Sequence, residues 1–153
     1  MRIGVISDTH GLLRPEALKA LQGAEHILHA GDVGDPAILD ALRAVAPVTA
    51  IRGNIDEGGP CGNLPPTELV ERSGRSIYMM HDVKQLDLNA EAADISAVVF
   101  GHSHKPLVEW RRGVLFLNPG SAGPRRFQLP VSLAWLHIET NKLDARIVQL
   151  KIE

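Results

Sequence analysis

Three short apolar runs open the chain, IGVIS (3–7), HILHA (26–30) and VTAI (48–51), and two stretches of helical character, RPEALKAL (14–21) and DPAILDALRAV (35–45), separate them. Each helical stretch carries Pro in its first turn, where the missing N–H costs no hydrogen bond. This strand, helix, strand, helix, strand order restricts the fold more than any other feature. Strands joined through helices lie parallel, with right-handed crossovers and both sheet faces covered. Strands covered on both faces read as nearly continuous apolar runs, as these do.

The pattern changes after a loop rich in Gly and Pro, IDEGGPCGNLPP (55–66). Strands now come in pairs around tight turns: TELVER (67–72) with RSIYMM (75–80), PLVEW (106–110) with VLFLN (114–118), and VSLAWLHIE (131–139) with LDARIVQLKI (143–152). All three pairs are predicted hairpins. A short helix is expected at Asn89–Ala93, ahead of a strand SAVVF (96–100). With 153 residues, no internal repeat and no composition break, the chain reads as a single domain, 1–153, of mixed α/β class with two sheets.

Composition narrows the function. Hydrophobic residues make up 44% and charged residues 22%, ordinary values for a globular enzyme. A net charge of −2 argues against an extended nucleic-acid partner, which calls for a basic excess. Cys61 is the single cysteine, so no intrachain disulfide or thiolate cluster can form, and any metal ligands are N and O atoms. The N-terminal strand reaches Asp8 before an apolar signal region forms, and no run approaches the ~20 apolar residues of a membrane span. A cytoplasmic location with no membrane partner is the expectation.

The informative residues are the polar ones that end the strands. VISDTH stops at Asp8 and His10, HAGD at Asp32, RGN at Asn54, YMMH at His81, and FGHSH at His102 and His104. In open α/β sheets, ligands bind beyond the carboxyl ends of the strands, so these seven side chains are expected to converge. Two carboxylates, one amide oxygen and four imidazoles suit Mn, Fe, Zn, Co or Ni, whereas Mg or Ca would favour an all-oxygen set. Seven ligands exceed what one open catalytic ion needs but suit two ions sharing a carboxylate. Paired ions roughly 3.5–4 Å apart are the standard device for phosphoryl hydrolysis. Glycines 31, 53 and 101, each just before a ligand, would let backbone exit sharply beside an ion.

The ordered blocks DTH (8–10), GD (31–32), GNID (53–56), His81, GHSH (101–104) and NPGS (118–121) resemble the calcineurin-like metallophosphoesterase superfamily, in particular its small YfcE-type phosphodiesterase branch. The resemblance implies a four-layer α/β/β/α sandwich of two mixed sheets. It also implies two divalent transition metal ions, manganese first, with iron, zinc, cobalt or nickel as alternatives. Asp8, His10, Asp32 and His104 would hold one ion, and Asp32, Asn54, His81 and His102 the other. Asp32 would bridge, and a hydroxide between the ions would attack phosphorus in line. Asp32, Asn54 and His102 are the residues assigned to catalysis, and the substrate is a small phosphate ester. A homodimer or homotetramer is the expected assembly, with hairpin edges as its interface.

Two positions depart from the family pattern. Many relatives carry His after the asparagine, to protonate the leaving group, where this chain has Ile55. A bias toward substrates with good leaving groups, such as aryl phosphodiesters, is therefore expected. Asp82 stands where Gly is usual after His81; it either orients His81 or faces solvent.

Other polar residues have structural readings. His26, His29 and His137 are assigned to structure, with His29 an alternative support for Asp32. Asp56 is expected to fix the loop after Asn54, Asp35 to cap a helix, and Asp40 to sit on its face. Arg125 and Arg126 are read as a solvated pair or as a phosphate clamp. Cys61 receives no role, and Arg52 is left open between burial and pairing. The competing functions are a partner-binding scaffold like the retromer subunit of similar architecture, and a phosphomonoesterase or nuclease of the same superfamily. A scaffold has no use for seven costly polar groups in one crevice.

Overall fold

A computed structural model describes residues 1–152. In chain order its elements are β1 (Arg2–Ile6), α1 (Pro15–Ala20), β2 (His26–His29), α2 (Pro36–Arg43), β3 (Val48–Ala50), β4 (Thr67–Arg72), β5 (Arg75–Met80), β6 (Ala97–Val99), β7 (Leu107–Arg111), β8 (Val114–Asn118), β9 (Ser132–Glu139) and β10 (Lys142–Gln149), with 3₁₀ turns at Asn54–Asp56 and Val83–Gln85. The strands form two five-stranded mixed sheets, ordered β10-β9-β1-β2-β3 and β4-β5-β6-β8-β7. β1, β2 and β3 are parallel, as the alternation with α1 and α2 requires. The three predicted hairpins are present as antiparallel pairs.

Alternation along each strand builds the layers. Ile3 and Val5 of β1, Leu28 of β2, Ile77 and Met79 of β5, Val99 of β6 and Leu117 of β8 fill the space between the sheets. The opposite face of the first sheet, with Ile6, Ile27 and Leu133, packs under Ala17 and Leu21 from the α1 region and Ile38, Leu39 and Leu42 of α2. Gly4 lies beneath Leu21, where a Cβ would meet the Leu21 Cδ2 at 2.5 Å. Asp35 caps α2 through the Ala37 N–H at 2.9 Å, as expected.

The fourth layer has little helix. Val98, Phe100 and Phe116 on the outer face of the second sheet are covered by residues 83–95, through Val83, Leu86, Leu88, Ala90 and Ile95. The helix expected at Asn89–Ala93 is a single turn instead. Asn89 Oδ1 accepts from the Ala92 N–H, the Ala93 N–H donates to the Asn89 carbonyl, and Asp94 then turns left-handed at φ 59°. One turn bought with so few hydrogen bonds does not propagate without flanking helix formers.

The histidines read as structural occupy structural places. His26 bonds Thr49 Oγ1 at 2.8 Å and receives Arg72 Nη2 at 3.1 Å, and His137 pairs with Asp144 at 3.3 Å. Cys61 is buried among the residues of the helix-covered core. Arg52 Nη1 donates to the Gly62 and Leu64 carbonyls, which ties down the long 55–66 loop.

Candidate metal centre

Five strands deliver the seven predicted ligand residues to one end of the sandwich: β1, β2 and β3 from one sheet, β5 and β6 from the other. Two groups form there. Asp8, His10 and His104 bring ligand atoms within 4.8 Å of one another, and so do Asp32, His81 and His102. Asp32 Oδ2 stands between the groups, 3.3 Å from His10 Nε2 and 3.1 Å from His81 Nε2. Asn54 joins the second group through Oδ1, 3.1 Å from His102 Nδ1.

Three of the predicted ligands, Asp8, Asp32 and His81, are fixed on the side facing away from the centre. Ser7 Oγ and the His102 N–H both donate to Asp8 Oδ2, at 2.7 and 3.1 Å, leaving Oδ1 to face inward. The Ile55 N–H donates to Asp32 Oδ1 at 3.0 Å, leaving Oδ2 inward. His81 Nδ1 donates to the Ala30 carbonyl at 2.7 Å, so the neutral ring presents an Nε2 lone pair.

The inward atoms have no ordinary partners. Asp8 Oδ1, His10 Nε2 and His81 Nε2 are buried without a hydrogen bond among the described residues, and so is His104 Nδ1, whose ring turns its Nε2 toward Asp8. Around Asp8 Oδ1 the Nε2 atoms of His104, His10 and His81 lie at 3.4, 3.6 and 3.7 Å. Orphaned acceptors converging in a buried space are expensive unless a cation joins them. The donor set therefore fits divalent metal.

Backbone geometry adds a second mark. Asp8, His10, Asp32, His102 and His104 all adopt left-handed backbone, with φ between 47° and 72°. Asp and His tolerate this region better than most residues, and strain of this kind concentrates at functional sites. The glycines beside the ligands clear space, as expected. A Cβ on Gly31 would stand 2.6 Å from His81 Nδ1, and one on Gly101 2.6 Å from Asp8 Oδ2.

Charge and burial set the protonation tendencies. Burial pushes the Asp32 carboxyl up, but His81, the Ile55 N–H and His10 outweigh it and hold it below the usual carboxylate range. Burial, assisted by Arg126 and opposed by Asp8, keeps His104 below the ordinary imidazole value. His29 is pushed down to about 4 by complete burial, although Asp8 and Asp56 pull the other way.

Two of the alternatives that the sequence allowed are not realised. His29 does not reach the Asp32 carboxylate. Thr9 Oγ1 donates to the Val33 carbonyl at 2.8 Å and so accepts from His29 Nε2 at 3.0 Å, while His29 Nδ1 accepts from the Gly31 N–H. His29 thus holds the two ligand-bearing loops. Asp82 does not orient His81 either, because the Ala30 carbonyl does; its Oδ1 caps the Lys84 N–H and its Oδ2 lies 3.9 Å from His102 Nε2. Ser7, which holds Asp8 Oδ2, carries no distinguishing signal in the sequence, where it is one more serine ending an apolar run.

Other assignments are as read. Asp56 is buried and accepts from the Gly53, Val33 and Gly34 N–H groups, locking the loop after β3 to the loop after β2. Asn118 and Ser121 of the NPGS block bind the Gly101 and Asp8 carbonyls, bracing two ligand loops. Ile55 is 42% exposed and serves the site through its amide alone. Arg125 and Arg126 are exposed, and only Arg126 lines a groove shared with His102.

Comparison with known proteins agrees with this geometry. Residues 1–141 match the calcineurin-like phosphoesterase superfamily domain. A probable metallophosphoesterase of Methanocaldococcus jannaschii is 35% identical over 164 residues, covering 99% of this chain and 82% of that protein. Among solved structures, Vacuolar Protein Sorting 29 from Cryptosporidium parvum superposes with a TM-score of 0.83 at 23% identity, covering 98% of this chain and 91% of that one. A novel archaeal phosphodiesterase superposes at 0.76 with 20% identity, covering 97% and 100%. These two likenesses concern the fold.

Proposed function

The chain belongs to the calcineurin-like phosphoesterase superfamily, and from that premise we propose that it is a metal-dependent phosphodiesterase acting on a small phosphate ester at a two-ion site. The observation that carries this reading is the set of buried, unbonded atoms around Asp8 Oδ1, with Asp32 Oδ2 placed between two imidazoles. Asp8, His10, Asp32 and His104 would hold one ion, and Asp32, Asn54, His81 and His102 the other. Manganese suits this mixed set best, with iron, zinc, cobalt and nickel as alternatives. Ions so held supply water activation and neutralise the phosphate oxygens during in-line displacement.

The chain's own residues do the positioning. Asp32 is anchored by the Ile55 amide and shared between the groups. Asn54 and His102 are exposed and line the pocket beside the centre, so they meet the substrate. Ile55 offers the leaving group no proton, which favours alcohols that depart as stable anions. In this reading the protein works in the cytoplasm as a homodimer or homotetramer, joined at hairpin edges where Leu69, Val108 and Trp110 are exposed. A partner-binding scaffold of the same fold is the competing reading, and it gives no reason to bury unpaired acceptors.

Purified protein should carry about two metal equivalents per chain and hydrolyse aryl phosphodiesters in preference to monoesters when Mn is added. Asp32→Asn should lower turnover on the order of 100-fold or more. Metal binding without Asp32-dependent turnover would establish the scaffold instead, and preference for monoesters would establish a phosphomonoesterase.

A further inference from the structure

The metal-ligand cluster opens onto two grooves of opposite charge, and His102 lines both. One, of about 600 Å³, runs over Tyr78 and Met80 and carries Glu57, Asp82 and Asp87. Its one arginine, Arg52, is engaged by the Gly62 and Leu64 carbonyls. The other is shallower, of about 1120 Å³, and is lined by Lys84, Lys105, Arg126 and Phe127. Surface ion pairs form at Arg43–Asp40, Arg111–Glu109 and Lys142–Asp144, but none engages these three cations among the described residues.

Phe127 is the anomaly in this wall. It is 87% exposed and has φ 55°, in a turn closed by the Leu129 N–H on the Arg126 carbonyl. A bulky side chain in left-handed backbone carries a steric cost that Gly or Asn would avoid, and here it gains no burial in return. An exposed aromatic face beside free guanidinium and ammonium groups matches a ligand with a flat ring and a negative charge.

We infer that this groove is the subsite for one ester arm of the substrate, and that the arm is nucleotide-like: a planar ring against Phe127 and a second anionic group, phosphate or carboxylate, among Lys84, Lys105 and Arg126. This rests on the phosphodiesterase reading and names its substrate class. The acidic groove repels such a group, so the two arms of a diester are sorted by charge.

Three substrates sharing one leaving group test the idea: methyl 4-nitrophenyl phosphate, thymidine 5′-(4-nitrophenyl phosphate), and the same nucleotide ester with a 3′-phosphate. With the Mn-loaded protein, the 3′-phosphate should raise kcat/KM over the 3′-hydroxyl on the order of fivefold to tenfold. The ratio should fall toward one in Lys105→Ala/Arg126→Ala and in high salt. Phe127→Ala should lower the preference for thymidine over methyl. A wild-type ratio of one or less, or one unchanged in the double variant, overturns the inference while leaving the phosphodiesterase reading intact. No turnover of any of the three removes both.

Discussion

His81 Nε2 lies 3.1 Å from Asp32 Oδ2 while its Nδ1 gives its proton to the Ala30 carbonyl. The ring can therefore face Asp32 as an imidazolium or offer its lone pair to a metal, but not both. Burial pushes the His81 pKa down, yet Asp32, Asp8 and the Ala30 carbonyl outweigh it and hold the pKa above its ordinary 6.5. Proton and metal compete, so metal affinity should fall as pH drops through that raised value, by about tenfold per pH unit for each proton displaced. Calorimetric Mn titrations between about pH 6 and pH 8 measure this. A flat affinity would contradict it, and Asp32→Asn should reduce the dependence by removing the imidazolium's partner.

His29, whose pKa is shifted the other way, predicts an acid-sensitive stability. Its folded pKa of about 4 lies below the ordinary 6.5, so between those values the unfolded chain binds the extra proton. The contribution is fully present above about pH 6.5 and is lost as pH falls toward about 4, to a limit of roughly 3 kcal/mol. Urea unfolding of metal-free protein at the two ends of this window should show a smaller acid loss in His29→Gln than in wild type. Equal losses would contradict the assignment.

Asp56 holds three backbone N–H groups of two loops. Asp56→Ala leaves them without an acceptor and should cost about 2–4 kcal/mol. The melting temperature should fall by roughly 10 °C, with Asp56→Asn intermediate because it keeps one acceptor oxygen. A loss under about 1 kcal/mol by chemical denaturation would show that the loops are held by other contacts.

Ile55 predicts the leaving-group behaviour. Turnover should depend steeply on the acidity of the departing alcohol, with aryl diesters far ahead of alkyl ones. Ile55→His, at a half-exposed position whose amide contact to Asp32 is retained, should raise alkyl-diester turnover by up to ~100-fold and aryl turnover much less. A flat series in wild type would mean that another group supplies the proton.

The convergence of the seven polar side chains was legible because each interrupts an apolar run with a residue that packing has no use for, and parallel strands bring such interruptions to one end. Asp56 was legible for a similar reason, as an acid inside a Gly-rich turn. Less accessible were roles that depend on which atom meets which across the fold. His29 looks like any histidine in an apolar strand, and only the orientation forced by the Thr9 hydroxyl shows that it clamps loops and not a carboxylate. Asp82 sits beside His81 in sequence, but neighbouring side chains on an extended chain point apart, so it turns to the Lys84 N–H and toward His102. The segment 83–95 misleads for a different reason. Its apolar residues, Val83, Leu86, Leu88, Ala90 and Ile95, cover the second sheet without needing a helix to do so.

The left-handed backbone at Asp8, His10, Asp32, His102 and His104 bears on how such a site can decay. At those positions a replacement would have to meet the proposed ligand role and also a conformation that few side chains accept, so almost every mutation would be penalised twice. Asn54 and His81 lie outside the left-handed region and carry no such conformational demand. A lineage released from catalysis would drift first at these two, and their loss beside an intact Asp8, Asp32 and GHSH block would mark a descendant that had recently become a scaffold.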